Sequence, residues 1–195
     1  MSKFLKQEKG FTLIETLVAV SIFSVSILSL MAVLAQGISD TNYAKQKIIA
    51  AYLAQEGIEY VRNMRDTFVL YGVQTGWSDF NDKLIVAACQ GQYGCYFNDE
   101  KKDDEPFDMF RVPQSQPITK ILFESCPSDG CPPLFYYSTT GKYGYNIYGV
   151  NSGFVRKIKI NIIDDDQTQV LSTVSWVQGS GKYEITFSEN LSNWQ

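Results

Sequence analysis

An apolar run near the N-terminus restricts the possible folds of this chain more than any other feature of its sequence. After Glu15 no charged residue occurs before Asp40, and residues 16–35 are mostly Leu, Val, Ile, Ala and Phe. In a helix, roughly 20 such residues are enough to cross about 30 Å of hydrocarbon. The run therefore predicts a membrane-spanning helix close to the start of the chain.

A carboxylate stands at the entrance of this run. A charge deep in a spanning helix costs roughly 2.5–3.5 kcal/mol on insertion scales, so Glu15 requires a partner or a position at the lipid headgroups. If the chain were cut after Gly10, the new amine of Phe11 would be a suitable partner, because an amine and a carboxylate are less costly to bury together than apart. Between neighbouring helices, the same pair would fix the axial register of two subunits.

These residues, Gly10-Phe11-Thr12-Leu13-Ile14-Glu15, resemble the processing site of type IV pilins and type II secretion pseudopilins. In that family a peptidase cuts after the Gly that ends a short basic leader, the next Phe becomes an N-methylated N-terminus, and the Glu sets subunit register. The resemblance therefore implies cleavage between Gly10 and Phe11, N-methylation of Phe11 and an assembly role for Glu15. It covers about residues 1–66. A more diffuse similarity of the last third is to minor pilins and minor pseudopilins.

The sequence divides into four segments on this interpretation. Residues 1–10 are a leader with three lysines and one glutamate, and residues 11–36 are the membrane-spanning or fibre-core half of a helix. Residues 37–66 are the amphipathic half of that helix, and residues 67–195 are an extracytoplasmic globular head. Because a basic flank stays in the cytoplasm, we expect a single-pass protein of the cytoplasmic (inner) membrane. It would then move into a filament on the cell surface or in the periplasm.

The amphipathic half carries a stripe of apolar and small residues at helical spacing. No proline interrupts residues 11–66, so nothing forces the helix to break. A stripe of this width suits packing on a sheet. Its members are Ala50, Leu53, Ala54, Gly57, Ile58, Val61 and Met64.

The last third of the chain predicts an antiparallel sheet. Residues 154–163 alternate, with Phe154 and Arg156 on the same face as the following isoleucines, and residues 170–177 and 182–188 predict two further strands. Together with the helix, this gives an α+β class, with a long N-terminal helix packed on a small antiparallel sheet, as in pilins. The acidic turn Asp164–Asp166 could bind calcium, but its spacing is not that of a calcium loop, and a plain turn is favoured.

Residues 67–153 are irregular in sequence. The stretch Asn98–Pro106 has the composition of a solvated loop, and Gly141-Lys142 resembles a hairpin turn. A dense aromatic group could form a sugar- or DNA-binding platform, although half-buried strand residues are the commoner outcome. Its members are Tyr136, Tyr137, Tyr143, Tyr145, Tyr148 and Phe154.

The four cysteines form two close pairs in the sequence. On the outer side of a membrane an even count indicates disulfides, and four cysteines allow three connectivities. We favour the local pairs, Cys89 with Cys95 and Cys126 with Cys131. Zinc is the alternative, but the spacings do not fit and the chain has no His.

The sequence thus favours a structural filament subunit that is not an enzyme, with no cofactor and no metal. The partners implied by the resemblance are the prepilin peptidase, which is also the methyltransferase, other pilin or pseudopilin subunits and the inner-membrane assembly platform. The acidic net charge of −4 argues against general nucleic-acid binding. The alternative is a membrane-tethered extracytoplasmic binding module with an uncleaved signal anchor. Ordinary signal cleavage after Ala35 is a further possibility, although the apolar run is longer than a usual signal core.

Overall fold

The computed structural model describes residues 10–71, 75–97 and 123–194. The expected leader before Gly10 and the expected loop Asn98–Pro106 lie outside the described residues. Two compact units make up the chain, Met1–Lys45 and Gln46–Gln195, and we call the second one the head. Within the described ranges the elements are α1 Leu13–Tyr71, α2 Gly76–Val86, β1 Cys95–Phe97, β2 Phe123–Ser125, β3 Pro133–Tyr137, β4 Lys142–Gly144, β5 Val150–Asp164, β6 Gln167–Gln178 and β7 Gly181–Ser192.

The helix α1 contains 59 residues and runs to Tyr71, beyond the end that the sequence predicts near Asp66. In the head, its residues from Gln46 onwards pack on the sheet. The predicted stripe is buried: Ala50, Ala54 and Val61 are completely inaccessible, and the other members are nearly so. The structure therefore confirms the predicted α+β class, with a long helix packed on a small antiparallel sheet.

The sheet is built on three long strands joined by tight turns. β5 pairs with β6 and β6 with β7, all antiparallel. The other edge of β5 pairs first with β3 and then with β1, and these strands pair with β4 and β2. Gly179, with a φ of 59°, begins the two-residue turn between β6 and β7. A positive φ of this size favours glycine, which explains the turn residue found there.

The alternation predicted for residues 154–163 sets the inner face of β5. Phe154, Arg156, Ile158 and Ile160 are buried, whereas Ile162 is 40% exposed at the end of the strand. Arg156 is only 1% exposed although it carries a charge. Its guanidinium lies 3.9 Å from the centre of the Phe97 ring and donates hydrogen bonds to Glu56 and to the carbonyl of Leu53. A charge is thus buried where α1 meets the sheet.

The helix α2 was not predicted from the sequence. It buries Trp77, Phe80 and Leu84 in the main core, and the Trp77 indole N–H donates to the Asp165 carbonyl at 2.6 Å. The spacing of these three residues at i, i+3 and i+7 is helical. The surrounding Gly and polar residues led us to expect irregular structure, but the packing of the three side chains stabilises a helix there.

Both cysteine pairs form local disulfides, Cys89 with Cys95 and Cys126 with Cys131. The aromatic group of residues 136–154 is mostly part of the β3–β4 hairpin and of β5. Tyr145 and Phe154 are buried, whereas Tyr148 is 92% exposed on the loop between β4 and β5. The described part of this group is therefore strand and loop structure rather than one flat exposed platform.

Candidate functional site

The candidate site is the start of α1 and the residues just before it. Gly10, Phe11 and Thr12 lie outside regular structure and are exposed, and the helix begins at Leu13. A Cβ added to Gly10 would meet nothing within 4 Å, and the Phe11 side chain is 79% exposed. The Gly10–Phe11 peptide bond is thus in an open, non-helical part of the chain, which is the form that proteases cut.

Thr12 caps the helix. Its side-chain oxygen accepts a hydrogen bond from the backbone N–H of Glu15 at 3.3 Å, and its carbonyl accepts one from the backbone N–H of Thr16 at 3.2 Å. This role was not predicted from the sequence, although the pattern T-x-x-E at Thr12–Glu15 is the signal for an N-terminal cap. Helix formation therefore starts at a defined residue directly after the candidate cleavage site.

Glu15 lies in the first turn of α1. The free N–H groups at a helix N-terminus carry partial positive charge, so a carboxylate is favourable there. The side chain is exposed in this single chain. Phe11 and Glu15 thus lie at the same end of the helix, where an amine on Phe11 and the Glu15 carboxylate would concentrate opposite charges.

The helix satisfies its own polar side chains along the apolar run. The hydroxyls of the serines and of one threonine donate to backbone carbonyls three or four residues earlier, at 2.8 Å in each case. A hydroxyl bonded in this way does not present an unpaired donor to hydrocarbon. The residues concerned are Thr16, Ser21, Ser24, Ser26 and Ser29.

The apolar side chains of this region are exposed in the single chain. By length and composition, α1 is the helix within the described ranges that could cross a membrane, and none of its most apolar window is buried. The exposed large side chains include Phe11, Leu17, Ile22, Phe23 and Leu28, each at least 61% accessible. Monomeric soluble proteins rarely expose a continuous apolar surface of this size, and larger exposed apolar surfaces mark sites that contact a membrane or another protein.

Metal ions in proteins are usually held by groups of His, Cys, Asp or Glu side chains. Among residues 10–71, 75–97 and 123–194, no group of three or more His, Cys, Asp or Glu side chains is placed to hold an ion. In the acidic turn, the backbone N–H of Asp166 donates to the Asp164 carboxylate at 2.9 Å. This bond is typical of a plain Asx turn. The cysteine sulfurs are held in disulfides, which removes them as zinc ligands.

A family model for the prokaryotic N-terminal methylation motif matches residues 5–34. The chain has the prepilin-type N-terminus of the type IV pilin and pseudopilin family. The matched range contains Gly10, Phe11 and Glu15, together with nearly all of the apolar run. The family resemblance seen in the sequence is therefore confirmed for the part of this prepilin-type chain that contains the candidate site.

One curated relative of the prepilin-type chain is type II secretion system protein I of Vibrio cholerae. It is 35% identical over 57 residues, which are 29% of this chain and 49% of the relative. The chain thus matches about half the length of that curated relative. No solved structure matches the chain.

Proposed function

We propose that this chain is a structural subunit, a minor pilin or minor pseudopilin, of a type IV filament or a type II secretion pseudopilus. The observation that carries the proposal is the unbroken segment Gly10–Glu15, which leads into the first turn of an exposed apolar helix. The match to the methylation motif and the local identity to a type II secretion protein support it. The work of the protein is mechanical assembly, and it catalyses no reaction.

Processing takes place between Gly10 and Phe11. A prepilin peptidase removes the leader, and its methyltransferase activity modifies the new amine of Phe11. The exposed, non-helical backbone at Gly10 and the cap at Thr12 support this position, because the peptidase can bind the segment without unwinding α1. Cleavage removes a basic segment and leaves a positive amine two residues before the helix begins.

Glu15 sets the register between subunits. In one helix, the Phe11 amine and the N-terminal N–H groups of α1 both carry positive charge. The Glu15 carboxylate of a neighbouring helix can neutralise this charge inside an apolar bundle. Inside such a bundle, burying an unpaired carboxylate costs more free energy than burying a paired one. The apolar side chains of residues 16–35 attract a neighbouring helix without favouring one axial position over another. The charged pair therefore determines the axial offset between the two helices.

The chain resides in the cytoplasmic membrane before assembly, with its N-terminus in the cytoplasm and the head on the other side. Residues 16–35 cross the bilayer, and after assembly the same surface packs against other subunits. The inner-membrane assembly platform and other pilin or pseudopilin subunits are the partners of this step. The whole apolar run is exposed in the single chain. This supports a surface that is covered by lipid before assembly and by other subunits afterwards.

The test is a Glu15→Ala variant of the full chain, expressed with a prepilin peptidase and the filament system of its cell. We expect the variant to remain in the membrane fraction and to disappear from cross-linked subunit complexes and from sheared filaments. Asp40→Ala is the matched control. It removes an exposed carboxylate of α1 beyond the apolar run, one that accepts a hydrogen bond from Gln36. Unchanged assembly of Glu15→Ala would overturn the proposed role and would favour a simple membrane tether.

A further inference from the structure

The direction of α1 across the sheet defines two ends of the head. The backbone carbonyl of Leu53 accepts a hydrogen bond from Arg156 in the first half of β5, and Arg65 donates to the carbonyl of Ser192 at the end of β7. The start of α1 in the head, Gln46, thus lies where β5 and β7 begin. We call this the proximal end, and the end carrying the turn Asp164–Asp166 the distal end.

The loop between β4 and β5 belongs to the proximal end and exposes large apolar side chains. Ile147 is 76% exposed and Tyr148 is 92% exposed, and Val150, the first residue of β5, is 70% exposed. Single exposed apolar residues are common on protein surfaces. Here three of them lie within the four successive positions 147–150, two in the loop and one at the start of β5.

The base of this loop is held in place by the Tyr137 side chain of β3. The Tyr137 hydroxyl accepts a hydrogen bond from the backbone N–H of Asn146 at 2.6 Å and donates one to the Asn146 carbonyl at 3.1 Å. Gly149 packs against the Tyr137 ring so closely that a Cβ there would lie 2.8 Å from a ring carbon. The base of the loop is therefore fixed, and the side chains of Ile147 and Tyr148 point away from the packed part of the head.

Among the described residues of the head, exposed charges differ between the two ends. Lys142 in β4 and Lys182 in β7 are exposed at the proximal end, and Glu184 is the acidic residue near Lys182 on β7. The distal end carries the three exposed aspartates of the turn Asp164–Asp166. Within the described residues, Lys142 is thus on the strand that leads into the exposed apolar loop, and Lys182 lies at the same end of the sheet on the opposite edge, in the order β4-β3-β5-β6-β7.

We propose that the proximal end of the head contacts the surface of a lipid bilayer that contains anionic lipids. Ile147 and Tyr148 insert at the level of the headgroups, where tyrosine side chains are favourable, and Lys142 and Lys182 interact with lipid phosphates. The inference rests on the proposed membrane residence of the apolar run. Residues 36–45 join that run to Gln46, and even a fully extended chain of this length reaches only about 35 Å.

A spin label tests this contact in the full-length chain. All four cysteines are in disulfides, so one added cysteine provides the single thiol for labelling. We would label Ile147→Cys at the proximal end and, as a matched control, Ile163→Cys, which replaces an isoleucine 51% exposed at the distal end. Each protein is placed in nanodiscs of phosphatidylcholine with phosphatidylglycerol, and collision rates of the label with oxygen and with a water-soluble nickel complex are measured.

We expect the ratio of oxygen to nickel collisions at position 147 to be at least twofold that at position 163. The ratio should fall towards the control value in nanodiscs of phosphatidylcholine alone, in 1 M salt, and in the double variant Lys142→Gln, Lys182→Gln. The salt effect follows because the screening length is then only about 3 Å.

Equal ratios at the two positions would overturn the proposal. A ratio at position 147 that is independent of lipid charge would also overturn it. A ratio that rises only after other subunits are added would overturn it as well, because that result assigns the loop to a neighbouring subunit. Failure of the proposed function has a different signature. A chain that is not cleaved after Gly10 but still shows the high ratio at position 147 retains the membrane contact and loses the filament role.

Discussion

The guanidinium of Arg156 donates a hydrogen bond of 2.6 Å to the carboxylate of Glu56, and this bond connects β5 to α1. The Arg156 side chain is 2% exposed and the Glu56 side chain 52% exposed. A guanidinium cannot lose its proton when it is buried, so its charge must be compensated within the head. Glu56 supplies that compensation from the half-exposed surface of the helix.

Glu56→Ala is expected to lower the free energy of unfolding of the head by about 1–3 kcal/mol, because it leaves the Arg156 charge buried without its carboxylate. Glu59→Ala is a closely matched control. Glu59 is on the same helix, is 53% exposed and pairs with the partly exposed Arg62, so its loss should cost at most about 1 kcal/mol. Urea unfolding followed by tryptophan fluorescence measures both values. Equal losses would show that Glu56 does not stabilise Arg156.

Gly57 allows α1 to approach the sheet closely. A Cβ at this position would lie 2.4 Å from the Ser172 hydroxyl oxygen and 2.9 Å from a methyl carbon of Ile158. Gly57→Ala should therefore destabilise the head by about 1–3 kcal/mol through overpacking. Gly37→Ala serves as the control, since a Cβ there meets nothing within 4 Å. Gly37→Ala should leave the midpoint temperature of thermal unfolding unchanged or slightly raised. An equal loss of stability in both variants would contradict the close packing of Gly57 against the sheet.

Ala88 ends α2 in the left-handed conformation, with a φ of 56°. The N–H of Ala88 bonds to the Ile85 carbonyl, and the N–H of Cys89 bonds to the Leu84 carbonyl. This is the Schellman motif, in which glycine is the usual residue at the position of Ala88. Ala88→Gly should raise the free energy of unfolding by about 1 kcal/mol.

The control for this prediction is Ala87→Gly, because Ala87 has an ordinary φ of −75°. There, glycine relieves no strain, increases the freedom of the unfolded chain and removes a methyl group that packs against the core, so the variant should be less stable. Chemical denaturation of the two proteins under the same conditions compares them directly. A gain in stability for Ala87→Gly as large as that for Ala88→Gly would refute the assignment of strain to Ala88.

Tyr96 and Glu124 face each other on β1 and β2, and the Tyr96 hydroxyl donates to the Glu124 carboxylate. Burial first, and then this hydrogen bond, raise the pKa of Tyr96 to about 12. The pKa of tyrosine in the unfolded chain is near 10. The protonated Tyr96 side chain therefore makes its full contribution to the free energy of unfolding below about pH 10. This contribution is lost as the pH rises from about 10 to 12.

The measurement is stability against pH for the natural chain and for Tyr96→Phe. The phenylalanine variant should lose less stability than the natural chain between about pH 10 and 12, since it has no phenol to ionise there. Glu124→Gln should bring the pKa of Tyr96 back towards its ordinary value, observed as phenolate absorbance at lower pH. Identical pH profiles for the natural chain and Tyr96→Phe would be incompatible with the role given to this pair.

Local patterns in the sequence predicted the parts of the fold that depend on near neighbours. The apolar stripe from Ala50 to Met64 predicted the packed face of α1, and the alternation from Phe154 to Ile162 predicted the inner face of β5. Contacts between distant residues had no such signal. The sequence placed Arg156 on the buried face, but nothing in it pointed to Glu56, which lies 100 residues earlier in the chain.

The candidate site could be proposed from the sequence because it is local. Gly10, Phe11 and Glu15 are consecutive parts of one short pattern, and the same pattern contains the cap Thr12, whose role only the structure revealed. The helix α2 was missed because its three core residues, Trp77, Phe80 and Leu84, stand among polar residues and glycines. These residues share a core cluster with residues of β5 and β6, and Thr168 of β6 donates a hydrogen bond to Asn81 of α2. Such contacts between distant residues have no local pattern in the sequence.

The intact mass and the N-terminal sequence of the protein together test whether this chain is a processed filament subunit. The full chain is expressed with a prepilin peptidase and extracted from the membrane, and Gly10→Leu serves as an uncleaved control. We expect a chain that begins at Phe11 and carries one N-methyl group. A chain that begins at Met1, or one cut after Ala35, would contradict it.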